Sequence, residues 1–218
     1  MISEVHNMDC MEFMATIPDK YFSLSIADPP YGLDQFGVST RGQGKLKNIA
    51  MNGKVKSWDI QPDENFFKEL FRISKNVIIW GGNYFHLQPC RCFICWDKMQ
   101  AFENFSQVEF AFTTFSKPAK IYKIPNFDKG KIHPTQKPTK LYQCILRTFA
   151  KSGDMIFDPM MGSQPSRIAC YKMGFDFVGC EMDKTFFENG CKRFEKECLG
   201  IYEQSNGKTV KQLNLFEQ

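Results

Sequence analysis

Asp154-Met155-Ile156-Phe157-Asp158-Pro159-Met160-Met161-Gly162-Ser163 carries a short apolar run into an acidic, glycine-bearing turn, and Pro165 to Met173 continues as a helix-like stretch. Strand, turn and helix in that order are how a doubly wound α/β sheet receives a cofactor. Phe175 to Cys180 then reads as a second buried strand ending at Glu181. That acid stands about 20 residues past the turn, where such sheets keep a carboxylate for ribose hydroxyls.

Far upstream, the run Phe22-Ser23-Leu24-Ser25-Ile26-Ala27 closes on Asp28-Pro29-Pro30-Tyr31. Proline can neither donate to a sheet ladder nor continue one, so the strand stops here, with its carboxylate and carbonyl oxygens pointing into a crevice. An acid, exposed carbonyls and an aromatic ring at one strand end suit the grip of a planar amine. The competing reading is a Pro-Pro turn in which Asp28 is a local cap. A third motif, His133-Pro134-Thr135-Gln136-Lys137-Pro138, leads into a helix predicted from Pro138 to Ala150.

With these three motifs in this order, the chain resembles the DNA amino-methyltransferases that use S-adenosylmethionine, in the circularly permuted class called beta. The likeness runs from Asn7 to about Lys196. It implies a Rossmann-like methyltransferase fold: a mixed, mostly parallel sheet with helices on both faces, in a single domain over residues 1–200 with a C-terminal tail over 201–218. It implies a catalytic set of Asp28, Pro29, Pro30 and Tyr31. Asp28 and the Pro29 carbonyl would accept the N–H groups of the amine, and Tyr31 would stack on a base flipped out of double-stranded DNA.

For the cofactor, the same resemblance implies Asp158, Pro159, Met160, Gly162 and Ser163 around the methionine moiety, with Asp28 beside them, and Glu181 on the ribose. Asp9 would lie near the adenine, and His133 and Lys137 on the carboxylate side. Taken singly, Asp9 and His133 read equally well as capping or surface residues. The family turn commonly runs Asp-Pro-Phe-x-Gly-Ser-Gly; here Met160 replaces the aromatic and Gln164 the second glycine. Glutamine is strained there if the position needs a positive φ, unless the turn enters its helix one residue differently.

Between these landmarks, Ser3 to His6 reads as a short strand, Cys10 to Ile17 as a helix, Glu64 to Ser74 as an amphipathic helix and Asn76 to Trp80 as a strand. Arg91 to Trp96 and Val108 to Phe115 add two strands, the latter alternating as an edge hairpin does. A helix is expected over Asp183 to Cys198. Residues 32–59, too polar and glycine-rich for either period, are expected to form a mobile catalytic lid. Residues 117–132 form a lysine-rich insert where the family keeps its target-recognition element.

The chain has 218 residues and a net charge of +4. Its positive charge is concentrated, with seven lysines and one acid from Lys117 to Lys140, and Arg41, Lys45, Lys47, Lys54 and Lys56 with no acid between Gln35 and Trp58. Such stretches are solvated faces in many proteins. Flanking the proposed catalytic strand end, they suit DNA phosphates, with Arg41, Lys45, Lys47, Lys120 and Lys123 as the contacts.

Nine cysteines, an odd number, argue against a disulfide framework. Cys90, Cys92 and Cys95 read as a buried strand rather than a zinc site, so no metal is expected. With no apolar run long enough to span a membrane, the expectation is a cytoplasmic protein. Gln212, Leu213, Leu215 and Phe216 are similar to the peptide by which bacterial replication enzymes dock on the sliding clamp; a terminal strand packed on its own domain competes with that reading.

The function expected is transfer of a methyl group to the N6 amine of adenine in DNA, as in a restriction-modification system, with a homodimer as the expected assembly. Cytosine-N4 methylation and an inactive DNA-binding subunit are the alternatives.

Overall fold

The computed structural model describes residues 1–33, 60–100, 106–126, 132, 135–203 and 208–211. Its centre is an eight-stranded sheet. In chain order the elements are β1 (Ser3–His6), α1 (Cys10–Ala15), β2 (Phe22–Ala27), α2 (Glu64–Ile73), β3 (Ser74–Trp80), β4 (Phe93–Asp97), β5 (Val108–Thr113) and β6 (Lys120–Lys123). There follow α3 (Thr139–Phe149), β7 (Met155–Asp158), α4 (Pro165–Met173), β8 (Asp176–Cys180), α5 (Lys184–Phe194) and the pair β9 (Ile201–Glu203) and β10 (Thr209–Lys211). The strands lie in the order β1-β8-β7-β2-β3-β5-β4-β6. Five of them, β1 to β3 across the sheet, run parallel, and β5 is antiparallel to both its neighbours.

The expected mixed, mostly parallel sheet with helices on both faces is therefore present. Its central strands read as continuous apolar runs because both faces are covered. Along β3, Ile78 and Trp80 join the cluster under α3 and α4, while Val77 and Ile79 join that under α1 and α2. Three of the helices start where acids satisfy their first N–H groups: Asp9 accepts from Met11, Asp63 from Phe66 and Asp183 from Phe186.

Three elements differ from expectation. The run from Val108 is not an edge: β5 pairs with β3 on one side and β4 on the other. Its alternation arises because the inner residues Ala111 and Thr113 are buried while Phe110 on the opposite face is exposed. The edge is β6, built from the lysine-rich insert and parallel to β4. The last helix stops at Phe194 and a π turn over Glu195–Leu199 ends at Gly200 with φ 68. Beyond it, β9 and β10 form an antiparallel pair too short for a sequence period to reveal. Cys92 is buried just before β4, its thiol donating to the Pro118 carbonyl.

What this topology does for function lies between β2 and β7. From β7 the chain crosses through α4 to β8 on one side, and from β2 through α2 to β3 on the other. The strand order thus turns at this point, which in open α/β sheets opens a crevice at the carboxyl ends of the strands. Asp28 follows β2 and Asp158 ends β7.

Candidate active site

Asp28 is held through one oxygen. Lys137 Nζ lies 2.6 Å from its Oδ1, and the Tyr31 hydroxyl donates to the same atom at 2.8 Å. Among the described residues none donates to Oδ2, and the side chain keeps 20% of its surface exposed. Burial pushes the Asp28 carboxyl up, against the pull of Lys137. Burial also works against the Lys137 ammonium, but Asp28 and Glu109 outweigh it and hold the group charged.

Tyr31 is positioned by glycine and by glutamine. Gly81 turns with φ +68, and a methyl there would collide with the Tyr31 ring. The ring stacks on Tyr84 at 5.2 Å and meets Phe85 edge-on. Gln61 donates to the backbone carbonyls of Tyr31 and Tyr84, tying both sides of the stack together. A cleft of about 220 Å³ opens beside Tyr31 and Tyr84, bounded by Asn83, Lys98 and Glu109.

Across the switch point, Asp158 is buried, with Met160 N–H on Oδ1 and the Ser166 hydroxyl on Oδ2. Burial raises its carboxyl to about 7. The folded-state value lies above that of the unfolded chain, so this group's share of stability is full below about pH 4 and is lost as pH rises through about 7. Asp158→Asn is accordingly expected to gain thermal stability relative to the wild type between pH 5 and pH 8. Melting curves at both pH values check this, and a constant difference in Tm between the two proteins contradicts it.

Glu181 accepts from Gly162 N–H at 2.8 Å and Asp183 N–H at 2.9 Å, one on each oxygen. The Met182 N–H also bears on it, and of the about four acceptor positions of a carboxylate some capacity remains for a hydroxyl donor. Arg193 braces the turn from α5, donating to the Ser163 carbonyl and hydroxyl and to Thr139. This set fits S-adenosylmethionine: acceptor capacity on Glu181 for a ribose hydroxyl, and a buried carboxylate near neutrality that a cation would stabilise.

Gln164, where the family pattern has glycine, takes a positive φ of 59, and α4 starts directly after it. A left-handed backbone costs a non-glycine residue about 1–2 kcal/mol. The side chain compensates. It is fully buried, its Oε1 accepts from Arg167 at 2.9 Å, and its amide reaches toward the Phe187 carbonyl. Space for it exists because α5 carries Gly190, where an added Cβ would sit 2.7 Å from Gln164 Cγ. Gly190→Ala should therefore overpack this contact and destabilise the fold by about 1–3 kcal/mol. Chemical denaturation measures the loss, and an unchanged midpoint would show that the turn gives way freely.

Of the other expected site residues, Asp9 caps α1. Lys120 and Lys123 sit on the edge strand β6. Met160 is half-buried and Met161, next to it, fits over Gly179. Lys137, expected on the cofactor side, pairs with Asp28. His133, the segment with Arg41, Lys45 and Lys47, and Gln212, Leu213, Leu215 and Phe216 lie outside the described residues, as do all but Gly32 and Leu33 of the expected lid. Glu109, Lys98, Gln61 and Arg193 were not singled out from sequence; Lys98 two residues past Trp96 and Glu109 in β5 belong to no spaced motif.

A sequence model described as DNA methylase matches residues 79–192, more than half of the chain. The Type II methyltransferase M2.DpnII of Streptococcus pneumoniae is 24% identical, over 88% of this chain and 89% of that protein. The Type II methyltransferase M2.MboI of Moraxella bovis is 23% identical, over 96% and 94%. Among solved structures, the M1.HpyAVI-SAM complex aligns over 88% of this chain and all of that one, with a TM-score of 0.54 and 20% identity. The cytosine-N4-specific PvuII DNA methyltransferase covers 94% and 93%, with a TM-score of 0.56 and 14% identity. The fold is theirs. With Asp28 and a glycine turn facing one crevice, and a family match that takes in the turn and more than half of the chain, the chain belongs to the DNA methylase family.

Proposed function

We propose that this protein methylates the N6 amine of adenine in double-stranded DNA, using S-adenosylmethionine. The observation that carries the reading is the pairing of Asp28, with one oxygen pinned and one open, with the Asp158–Ser163 turn on the adjacent strand. Bound S-adenosylmethionine supplies an activated methyl group on a sulfonium.

An exocyclic amine is a poor nucleophile because its lone pair is delocalised into the ring. Asp28 Oδ2 and the Pro29 carbonyl accept its two N–H groups and favour tetrahedral geometry at nitrogen. As the N–C bond forms and the C–S bond breaks, positive charge grows on the nitrogen beside the Asp28 carboxylate. The proton leaves along that hydrogen bond. Tyr31 and Tyr84 offer aromatic surface for a base taken out of the stack.

Sequence-neutral affinity is assigned to the basic segments, including Lys120 and Lys123 on β6 and the stretch with Arg41, Lys45 and Lys47, through phosphate contacts. Target choice is assigned to the 117–132 segment. A second copy of the chain would extend the short DNA footprint, and a clamp contact through the tail is a separable addition. Among the described residues no helix is long and apolar enough to cross a membrane.

The test is to incubate the protein with unmodified DNA and S-adenosylmethionine, digest to nucleosides and identify them by mass spectrometry. N6-methyladenine supports the reading, and N4-methylcytosine would move the target while keeping the chemistry. No methylated base and no bound cofactor would leave a DNA-binding subunit.

A further inference from the structure

Glu109 belongs to none of the motifs that carry the family likeness, yet it anchors the far side of the Asp28 site. It projects from β5, with Oε2 3.1 Å from Lys137 Nζ and Oε1 2.7 Å from Lys98 Nζ. Four charges of alternating sign, Lys98, Glu109, Lys137 and Asp28, thus cross the ends of β4, β5 and β2. Lys137 is 4% exposed, and its ammonium also lies 5.2 Å from the centre of the Trp80 ring and 5.6 Å from that of Tyr31. A lysine on a flexible stem with a single carboxylate partner could follow that partner or swing toward an incoming ligand. Two carboxylates, at 2.6 and 3.1 Å, fix it in place.

We propose that Glu109 is a positioning residue for methyl transfer: with Lys98 it anchors Lys137, so that Lys137 and Tyr31 hold Asp28 by Oδ1 and leave Oδ2 to the amine. This rests on the methylation reading of the site. Burial opposes the charge on Glu109, but Lys137 and Lys98 outweigh it and hold the carboxyl at about 2, so the anchor stays ionised across the working range. The groups bearing on Asp28 from the surrounding elements are Lys137, Glu109 and Tyr31, with Tyr142 on α3 and Asp158 on β7. Of these, Glu109 raises the Asp28 carboxyl and Lys137 lowers it.

Glu109→Gln keeps the shape and removes the charge. It should lower kcat about a hundredfold, the scale of a misplaced reacting group, while cofactor affinity is retained. Lys137 is then left to Asp28 alone, so the acid limb of the pH profile of kcat should move to lower pH. Glu109→Asp, which keeps the charge on a shorter stem, should restore the limb with only part of the rate. Independently of turnover, the Asp28 carboxyl followed by carbon NMR, assigned with Asp28→Asn, should titrate at lower pH in Glu109→Gln than in the wild type. An inactive wild type with that NMR shift present would defeat the methylation reading while supporting the coupling. Loss of rate with neither pH shift is what a merely structural role gives and overturns the proposal, as does a variant with the wild-type rate and titration.

Discussion

Asp28→Asn is expected to lower the single-turnover rate of methyl transfer by about a hundredfold to a thousandfold, the range seen when one group stabilising developing charge is removed. The substitution is nearly isosteric, so its effect comes from how the carboxamide must lie. Lys137 and the Tyr31 hydroxyl are donors on the Oδ1 side. They select the rotamer that places the amide oxygen there and the NH₂ toward the crevice. An N–H donor would then face the N–H group of the target amine that the wild-type carboxylate accepts. Lys137 keeps Glu109 at 3.1 Å, so the protein should remain folded. Cofactor and DNA affinities close to wild type, with a collapsed rate, are the expected pattern; a rate within tenfold of wild type would remove Asp28 from the chemistry.

The second large effect is on stability. Lys137→Met takes the cation from between two carboxylates and leaves Asp28 buried without a charge partner, since Lys98 still neutralises Glu109. Breaking a buried pair from one side costs about 3–5 kcal/mol. For a chain of this size that corresponds to a Tm lower by about 10 °C. Without Lys137 the Asp28 carboxyl, already raised by burial, rises further above its unfolded value. Its contribution to stability is then full at low pH and lost as pH rises, so the deficit should be greater at pH 8 than at pH 5. Equal melting temperatures for variant and wild type at pH 8 would mean that Asp28 finds another donor.

Both effects depend on residues that the sequence shows unequally. Asp28 is legible because two prolines stop a strand beside it, and Asp158 and Glu181 because the strand-turn-helix grammar fixes their spacing. The core strands β2 and β7 and helix α4 were readable to the residue, since apolar runs bounded by Pro, Asp and Gly leave little freedom. Lys137 was visible as part of a motif, but its partner was not: nothing in sequence tells that it reaches Asp28, 109 residues away. Glu109 and Lys98 become meaningful only when β5 is seen inside the sheet instead of at its edge. Gln164 is the opposite case. Sequence raised the conflict between glutamine and a positive φ, and only the notch at Gly190 on α5 explains how it is accommodated.

The parallel pairing of β2 with β7 also governs how the chain can be built. Leu24 pairs with Ile156 and Ser3 with Phe177, so the partners emerge from the ribosome well over a hundred residues apart. Until β7 is made, β2 and β3 present an open apolar edge with nothing to complete it, and the crevice that β2 shares with β7 does not exist. Pairings so distant in sequence close late and slowly. A nascent chain of this protein therefore keeps that apolar edge uncovered until β7 has emerged, the condition in which aggregation competes with folding.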